Sequence, residues 1–233
     1  MRPLVLFVGA GCALVLAQPD LGTMTIIALT AAGMMFAAGV PARLLAGLAL
    51  LAVPLTAVLF MSADYRRARI TGFLHPVEER LGAGYQTFQS LVGLANGGIT
   101  GTGLGNGEAK WGWVPNAHTD FIFVVVGEEM GLTGAAAVLG LLAVVGVLGF
   151  RTAQRAPDYF GALLAAGVTV WLMVQTFVNV GGVLGLLPIT GVTLPFLSYG
   201  SSSLLVNSAA AGLLLNVARQ SGQRGEQRTA GDG

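Results

Sequence analysis

Long apolar stretches fill most of this sequence, and they limit the chain to helices that cross a membrane. Only 10% of the 233 residues are charged, whereas an ordinary soluble domain is about a quarter charged. Because a span needs about 20 apolar residues and must pair its own backbone groups in lipid, we predict an all-α, polytopic transmembrane helix bundle of about six spans. The predicted spans cover residues 3–17, 23–40, 44–61, 121–150, 160–183 and 204–217.

The first apolar stretch has a second interpretation. Met1-Arg2, a short apolar run and Val15-Leu16-Ala17 together resemble a secretory signal peptide with its cleavage site. Gln18-Pro19-Asp20 is a poor cleavage junction, and another apolar stretch follows within a few residues. We therefore expect a span here.

Basic residues in the short loops predict the orientation of the spans. If six spans alternate, these arginines fall on one side, which is then the cytoplasmic side: Arg2, Arg43, Arg151, Arg155, Arg219, Arg224 and Arg228. Residues 18–22, 62–120 and 185–200 then lie outside the cytoplasmic membrane. We expect one membrane domain over residues 1–218, with a long outer loop at 62–120, and a disordered cytoplasmic tail at 219–233.

The distribution of charge favours chemistry on the outer side. Seven of the eleven acidic residues lie between Asp64 and Glu129, whereas a proton-coupled transporter places acids near the centre of several spans. The net charge of +1 gives no reason to expect nucleic acid as a partner. With one cysteine, Cys12, the chain has neither a disulfide framework nor a cysteine-ligated zinc site.

The outer loop begins with a basic cluster and continues with an amphipathic segment. The cluster at residues 64–70 has two interpretations: a headgroup anchor at the membrane surface, or a diphosphate clamp formed by Arg66 and Arg69, since guanidinium groups match phosphate oxygens. Apolar residues at helical spacing within residues 75–95 predict a helix that lies in the membrane interface or re-enters it.

A glycine-rich segment at residues 96–107 precedes the fourth predicted span. Because no βαβ unit surrounds it, we reject a nucleotide-binding loop and expect tight turns or close backbone approach to a ligand. If Asp120 opens the fourth helix, Gly127, Gly131 and Gly134 fall within about 40° of it and predict a groove of glycines beneath it. Glu128 and Glu129 cannot both face that side.

Several motifs in the same order resemble the FtsW/RodA family of shape, elongation, division and sporulation proteins. The motifs are Gln18-Pro19-Asp20-Leu21-Gly22-Thr23, Tyr65…Arg69-Ile70, Gly82-Ala83-Gly84-Tyr85-Gln86, His118-Thr119-Asp120-Phe121-Ile122-Phe123, Gly127-Glu128-Glu129 and Leu194-Pro195-Phe196-Leu197-Ser198-Tyr199-Gly200. Together they cover nearly the whole chain. Lys110-Trp111, with Gly127-Glu128-Glu129, favours the division branch, although residues 187–191 are nearer to the elongation branch. Ser201 stands where the family usually has a second glycine.

The resemblance implies a peptidoglycan glycosyltransferase that joins the disaccharides of lipid II outside the cytoplasmic membrane. It assigns Asp120 as the catalytic carboxylate, with undecaprenyl diphosphate as the leaving group. It implies a class B penicillin-binding transpeptidase and other membrane proteins of the divisome or elongasome as partners. Family members have about ten spans, so about four would precede Met1. A lipid II flippase and an inactive or scaffolding fragment are the alternatives.

Other residues are candidates for substrate binding. Arg66, Arg69 and Lys110 would offset the charge of a diphosphate. His118 and Thr119 adjoin Asp120, while Ser198, Tyr199 and Ser201 lie in the last outer turn, where they either cap the final helix or contact substrate. Gln175 and Asn179 are expected to bond to a neighbouring helix. No metal-ligand spacing occurs; Mg²⁺ or Mn²⁺ bound loosely at the diphosphate is left open.

Overall fold

The computed structural model describes residues 9–11, 14–15, 20–61 and 64–231. Every regular element in these ranges is a helix, so the all-α prediction is confirmed. The helices are α1 (Leu21–Ala37), α2 (Ala42–Met61), α3 (Asp64–Leu74), α4 (Tyr85–Gly97), α5 (Ile122–Arg155), α6 (Tyr159–Val183) and α7 (Ser201–Gly231), with a short 3-10 helix at Ala109–Trp111.

Three described helices are long and apolar enough to cross a membrane, namely Ile122–Arg155, Tyr159–Val183 and Ser201–Gly222. Two shorter apolar helices occupy Gly22–Ala37 and Ala42–Ala52. Helices therefore occupy five of the six stretches that the apolar pattern predicts to span. The first predicted span, at residues 3–17, lies mostly outside the described residues.

Polar side chains fix where the apolar helices begin. Asp20 precedes α1, and its carboxylate accepts hydrogen bonds from the N–H of Thr23 at 3.0 Å and from the Thr23 hydroxyl at 2.7 Å. Asp158 precedes α6 and accepts from the N–H of Gly161 at 3.2 Å. Each aspartate satisfies a backbone donor that the first turn of a helix leaves unpaired.

The chain folds into two compact units. The single membrane domain expected over residues 1–218 stays a prediction. One unit comprises residues 1–40, 140–174 and 201–233, and the other comprises residues 41–139 and 175–200. In the first unit Gly167 lies against Met34, and Gly149 lies against Thr169. Small residues at these points let helix backbones approach closely, as the glycine content predicts.

The predicted outer loop and the tail are more helical than the sequence suggests. The loop contains α3, α4 and the 3-10 helix, and α4 falls at the end of the segment predicted to form a helix. Helix α7 continues to Gly231, which differs from the disorder predicted after Arg219. Arginine and glutamine are good helix formers, and extending an existing helix needs no new nucleus.

Candidate active site

Asp120 lies in a turn that leads into α5, and the helix begins only at Ile122. Asn116 adopts a φ of 57°, and its carbonyl accepts hydrogen bonds from the N–H groups of Thr119 and Phe121 at 3.0 and 3.4 Å. The Phe121 side chain is buried, with 2% of its surface exposed. The conformation of this turn therefore sets the direction of the Asp120 carboxylate, and the periodicity of helix α5 does not apply to it.

The predicted groove of glycines beneath Asp120 is wrong. Asp120 precedes the helix, and α5 is interrupted at Gly131, where φ is 67° and ψ is −165°. Residues on the two sides of this kink do not follow one helical projection. Space beside the glycines is already filled, because Leu94 packs against Gly127 and the backbone of Ile99 and Gly101 packs against Gly131.

The glycine-rich segment instead binds the kinked part of α5 through main-chain hydrogen bonds. The N–H groups of Thr102 and Gly103 donate to the carbonyls of Glu128 and Glu129 at 2.9 and 3.0 Å. In return, the N–H groups of Leu132 and Thr133 donate to the carbonyls of Gly98 and Ile99 at 2.9 and 3.3 Å. Close backbone approach is thus the role of this segment, and its partner is a helix.

Both glutamates of α5 hold the end of the glycine-rich segment and the residues that follow it. Glu128 is 2% exposed, and its carboxylate accepts a hydrogen bond from the N–H of Ala109 at 2.8 Å. Glu129 accepts from the N–H of Gly105 at 3.0 Å and pairs with the Lys110 ammonium at 2.6 Å. Lys110 also donates to the Gly105 carbonyl at 2.7 Å. A diphosphate at Lys110 would share that ammonium with Glu129, and the substrate contact stays a prediction.

A narrow cleft lies beside Asp120. Its walls include Asn179, Gly182 and the segment 189–192. A Cβ atom added at Gly191 would lie 3.7 Å from Asp120 Oδ2, so this segment passes close to the carboxylate. Burial raises the pKa of Asp120 above its ordinary value, against the hydrogen bond from Thr119 and the charge of His118, which lower it. Desolvation therefore raises the pKa of Asp120 by more than the neighbouring polar groups lower it.

Asn179 and Gln175 bond to loop residues, so the prediction that they bond to a neighbouring helix is wrong. Asn179 Nδ2 donates to the main-chain carbonyls of Asp120 at 2.7 Å and Val192 at 2.6 Å. Gln175 Nε2 donates to the carbonyl of Thr193 at 2.9 Å and to its hydroxyl at 3.2 Å. Asn179 and Asp120 are 59 residues apart in sequence, so no local sequence pattern could predict the hydrogen bond between them.

The structure places His118 and Tyr199 side by side. The N–H of Tyr199 donates to the His118 carbonyl at 2.9 Å, and the two rings meet edge to face with centroids 6.2 Å apart. Both side chains are exposed. Two predicted site residues that are distant in sequence are thus brought together next to Asp120.

The serines of the last outer turn differ in their surroundings. Ser198 is buried, and its hydroxyl accepts a hydrogen bond from the N–H of Leu194 at 2.7 Å, which closes the turn. Ser201 is exposed at the first residue of α7. Substrate contact by either serine stays a prediction.

The arginines of the basic cluster are described only in their backbone. Arg66 and Arg69 belong to α3, and their side chains lie outside the part of the chain that the structure describes. Within the described residues, no group of three or more His, Cys, Asp or Glu is placed to hold a metal ion. A cation bound through the diphosphate stays a prediction.

Comparison with known proteins agrees with the resemblance. The family model for the FtsW, RodA and SpoVE cell cycle proteins matches residues 1–223. The chain belongs to this family. Among curated members, "Probable peptidoglycan glycosyltransferase FtsW" of Geobacter metallireducens is 46% identical over 205 residues, which are 88% of this chain and 55% of that protein. "Stage V sporulation protein E" of Bacillus subtilis is 43% identical over 208 residues, which are 89% of this chain and 57% of that protein.

Solved structures of family members have the same fold. The structure described as "Structural coordination of polymerization and crosslinking by a peptidoglycan synthase complex" matches with a TM-score of 0.74 and 33% identity, over 94% of this chain and 61% of that chain. The crystal structure of the rod shape determining protein RodA of Thermus thermophilus matches with a TM-score of 0.63 and 28% identity, over 94% of this chain and 56% of that chain. This member of the family thus spans little more than half the length of the relatives it matches.

Proposed function

We propose that this chain acts as a glycosyltransferase that polymerises lipid II into the glycan strands of peptidoglycan. The observation that carries the proposal is a half-buried carboxylate with a raised pKa, Asp120, beside a cleft at the end of a helix long enough to span a membrane. A carboxylate whose pKa moves toward the working pH becomes a better general base. The name "Probable peptidoglycan glycosyltransferase FtsW" of a relative 46% identical supports the same activity.

In the proposed reaction, Asp120 removes a proton while a single displacement inverts the donor sugar. The 4-hydroxyl oxygen of the acceptor sugar forms a bond to the anomeric carbon of the donor. Its proton passes to the Asp120 carboxylate. The bond from the anomeric carbon to the diphosphate breaks, and its electron pair leaves with undecaprenyl diphosphate. General base catalysis of this kind contributes about 10²–10⁴-fold to a rate.

The departing diphosphate needs compensation of its charge. Arg66 and Arg69 are the first candidates, because arginine binds phosphate oxygens through two parallel hydrogen bonds. Lys110 is the second, at the cost of sharing its ammonium with Glu129. His118, Thr119, Tyr199 and Ser201 are proposed to contact the sugars or the diphosphate, and Ser198 to support them.

The proposed setting is the bacterial cytoplasmic membrane, with Asp120 on its outer side. Helices capable of spanning a membrane and the family membership support a multi-pass membrane protein. One of the similar structures belongs to a peptidoglycan synthase complex that coordinates polymerisation with crosslinking. We therefore propose a class B penicillin-binding transpeptidase as partner. The relatives named FtsW favour a role in division over elongation.

The test is polymerisation of lipid II by the chain reconstituted in liposomes. We expect glycan strands from the parent chain and at least about a hundredfold less from Asp120→Asn, because an amide cannot accept the proton. The matched control is Asp158→Asn, since asparagine caps a helix as well as aspartate does.

Two outcomes would refute the proposal. Undiminished polymer from Asp120→Asn would show that Asp120 is not the base. Movement of fluorescent lipid II between leaflets without any polymer would establish the flippase alternative instead.

A further inference from the structure

The carboxamide of Asn179 ties together the two sides of the Asp120 cleft. Asn179 lies in the last two turns of α6 and is 5% exposed. One amide proton is donated to the carbonyl of Asp120 and the other to the carbonyl of Val192, at 2.7 and 2.6 Å. One side chain therefore holds the turn that carries Asp120 and the segment 189–192 that lines the cleft.

These two bonds determine the orientation of the amide. Both neighbours of Nδ2 are carbonyl oxygens, which only accept, so the amide nitrogen must face them. The opposite group, Oδ1 of Asn179, is buried and finds no donor among the described residues. A buried amide oxygen without a donor is unfavourable and calls for a reason. The amide oxygen of Gln175 is likewise buried without a donor among the described residues, so the contact with the turn that carries Asp120 is what distinguishes Asn179.

Gln175 supplies an internal comparison one helical turn earlier. It also donates from a buried amide to the extended segment, but its partner is Thr193. None of its described hydrogen bonds reaches the turn that carries Asp120. Both amides therefore hold residues 192–193 against α6, but only that of Asn179 also bonds to the main chain of Asp120.

We propose that Asn179 is the positioning residue for Asp120, acting through the main-chain carbonyl of that residue to hold its carboxylate against the segment 189–192. This inference rests on the proposed function of Asp120 as the base. Misplacement of a reacting group by about 1 Å lowers a rate by about 10²-fold. The contact is to the main chain of Asp120, so its loss changes where the base lies and leaves its chemistry intact.

The experiment compares Asn179→Leu and Asn179→Ser with Gln175→Met in the reconstituted chain. The leucine replaces the amide with an apolar side chain that has no donors, and the serine is too short to reach both carbonyls. We expect each Asn179 variant to lower kcat about 10–100-fold with KM for lipid II within about twofold of the parent, because a misplaced base slows the chemical step without removing a contact to bound substrate. Gln175→Met should retain kcat per folded molecule. Hydrogen exchange at the amides of residues 118–121 should accelerate only in the Asn179 variants.

The possible results separate the inference from the function on which it rests. A parent value of kcat in a folded Asn179 variant would overturn the inference while leaving the proposed function intact. Failure of both Asn179 variants to fold, beside a folded Gln175→Met, would assign Asn179 a structural role and overturn it as well. Absence of polymer from the parent chain, or full activity in Asp120→Asn, would overturn the proposed function and the inference with it.

Discussion

Replacing Gly131 by alanine is expected to release the glycine-rich segment from α5. The backbone at Gly131 has φ 67° and ψ −165°, a conformation that is essentially restricted to glycine. A Cβ atom there would also collide with the carbonyl oxygen of Ile99 and the N–H of Gly101. Alanine must therefore either keep this strained conformation or straighten the helix.

The size of the effect follows from these two alternatives. Keeping the kink costs about 1–3 kcal/mol in backbone strain before the collisions are counted. Straightening the helix gives up four main-chain hydrogen bonds between residues 98–103 and 128–133, each worth about 1 kcal/mol net. Recovered helical bonds and the better helix propensity of alanine offset part of that loss. Both routes give a destabilisation of about 2–4 kcal/mol.

Gly140→Ala is the matched control, because Gly140 lies in the same helix and a Cβ atom there would meet nothing within 4 Å. It should be neutral or stabilising by up to about 1 kcal/mol. Unfolding in detergent would measure the free energies, and hydrogen exchange at Thr102, Gly103 and Leu132 would report whether the segment detaches. Equal stability of the two variants, with parent exchange rates at these amides, would refute the reasoning.

Two further predictions concern charged groups. Burial raises the pKa of Asp120 above 3.8, so its contribution to stability is present below the unfolded pKa and is lost as the pH rises through the folded pKa. Asp120→Asn should therefore be more stable than the parent at neutral pH, and thermal unfolding should show that gain shrink toward about pH 4; a gain that grows on acidification would contradict this. Lys110→Met and Glu129→Gln should each cost about 1–2 kcal/mol, and their double variant should cost less than the sum, since both remove the same contact. If the losses in unfolding free energy of the two single variants simply added in the double variant, Lys110 and Glu129 would not stabilise the fold as a pair.

The membrane helices could be predicted from sequence because hydropathy is a local property. Apolar stretches of about 20 residues require helices in lipid whatever lies beside them, and described helices fill five of the six predicted stretches. The candidate role of Asp120 also came from the sequence, since the motif His118-Thr119-Asp120 is part of the resemblance to the family that the comparison shows. The role itself stays a prediction.

The surroundings of Asp120 depended on contacts between distant parts of the chain. Periodicity placed Asp120 on α5 above a row of glycines, but a turn closed by Asn116 holds it outside the helix. Gly127-Glu128-Glu129 interrupts the apolar stretch in the sequence, but the kink at Gly131 is explained by its packing against the glycine-rich segment. A local pattern gives no information on which loop packs against a helix.

Composition and motif order determined the class of the protein and its helices, and they select one carboxylate as the candidate base. Tertiary structure decided what that carboxylate touches: the burial that raises its pKa, the neighbouring segment 189–192, and Asn179, which is 59 residues away in sequence. The physical reason is that burial and hydrogen-bond partners arise when separate segments pack together, whereas transfer into lipid is decided by each segment alone.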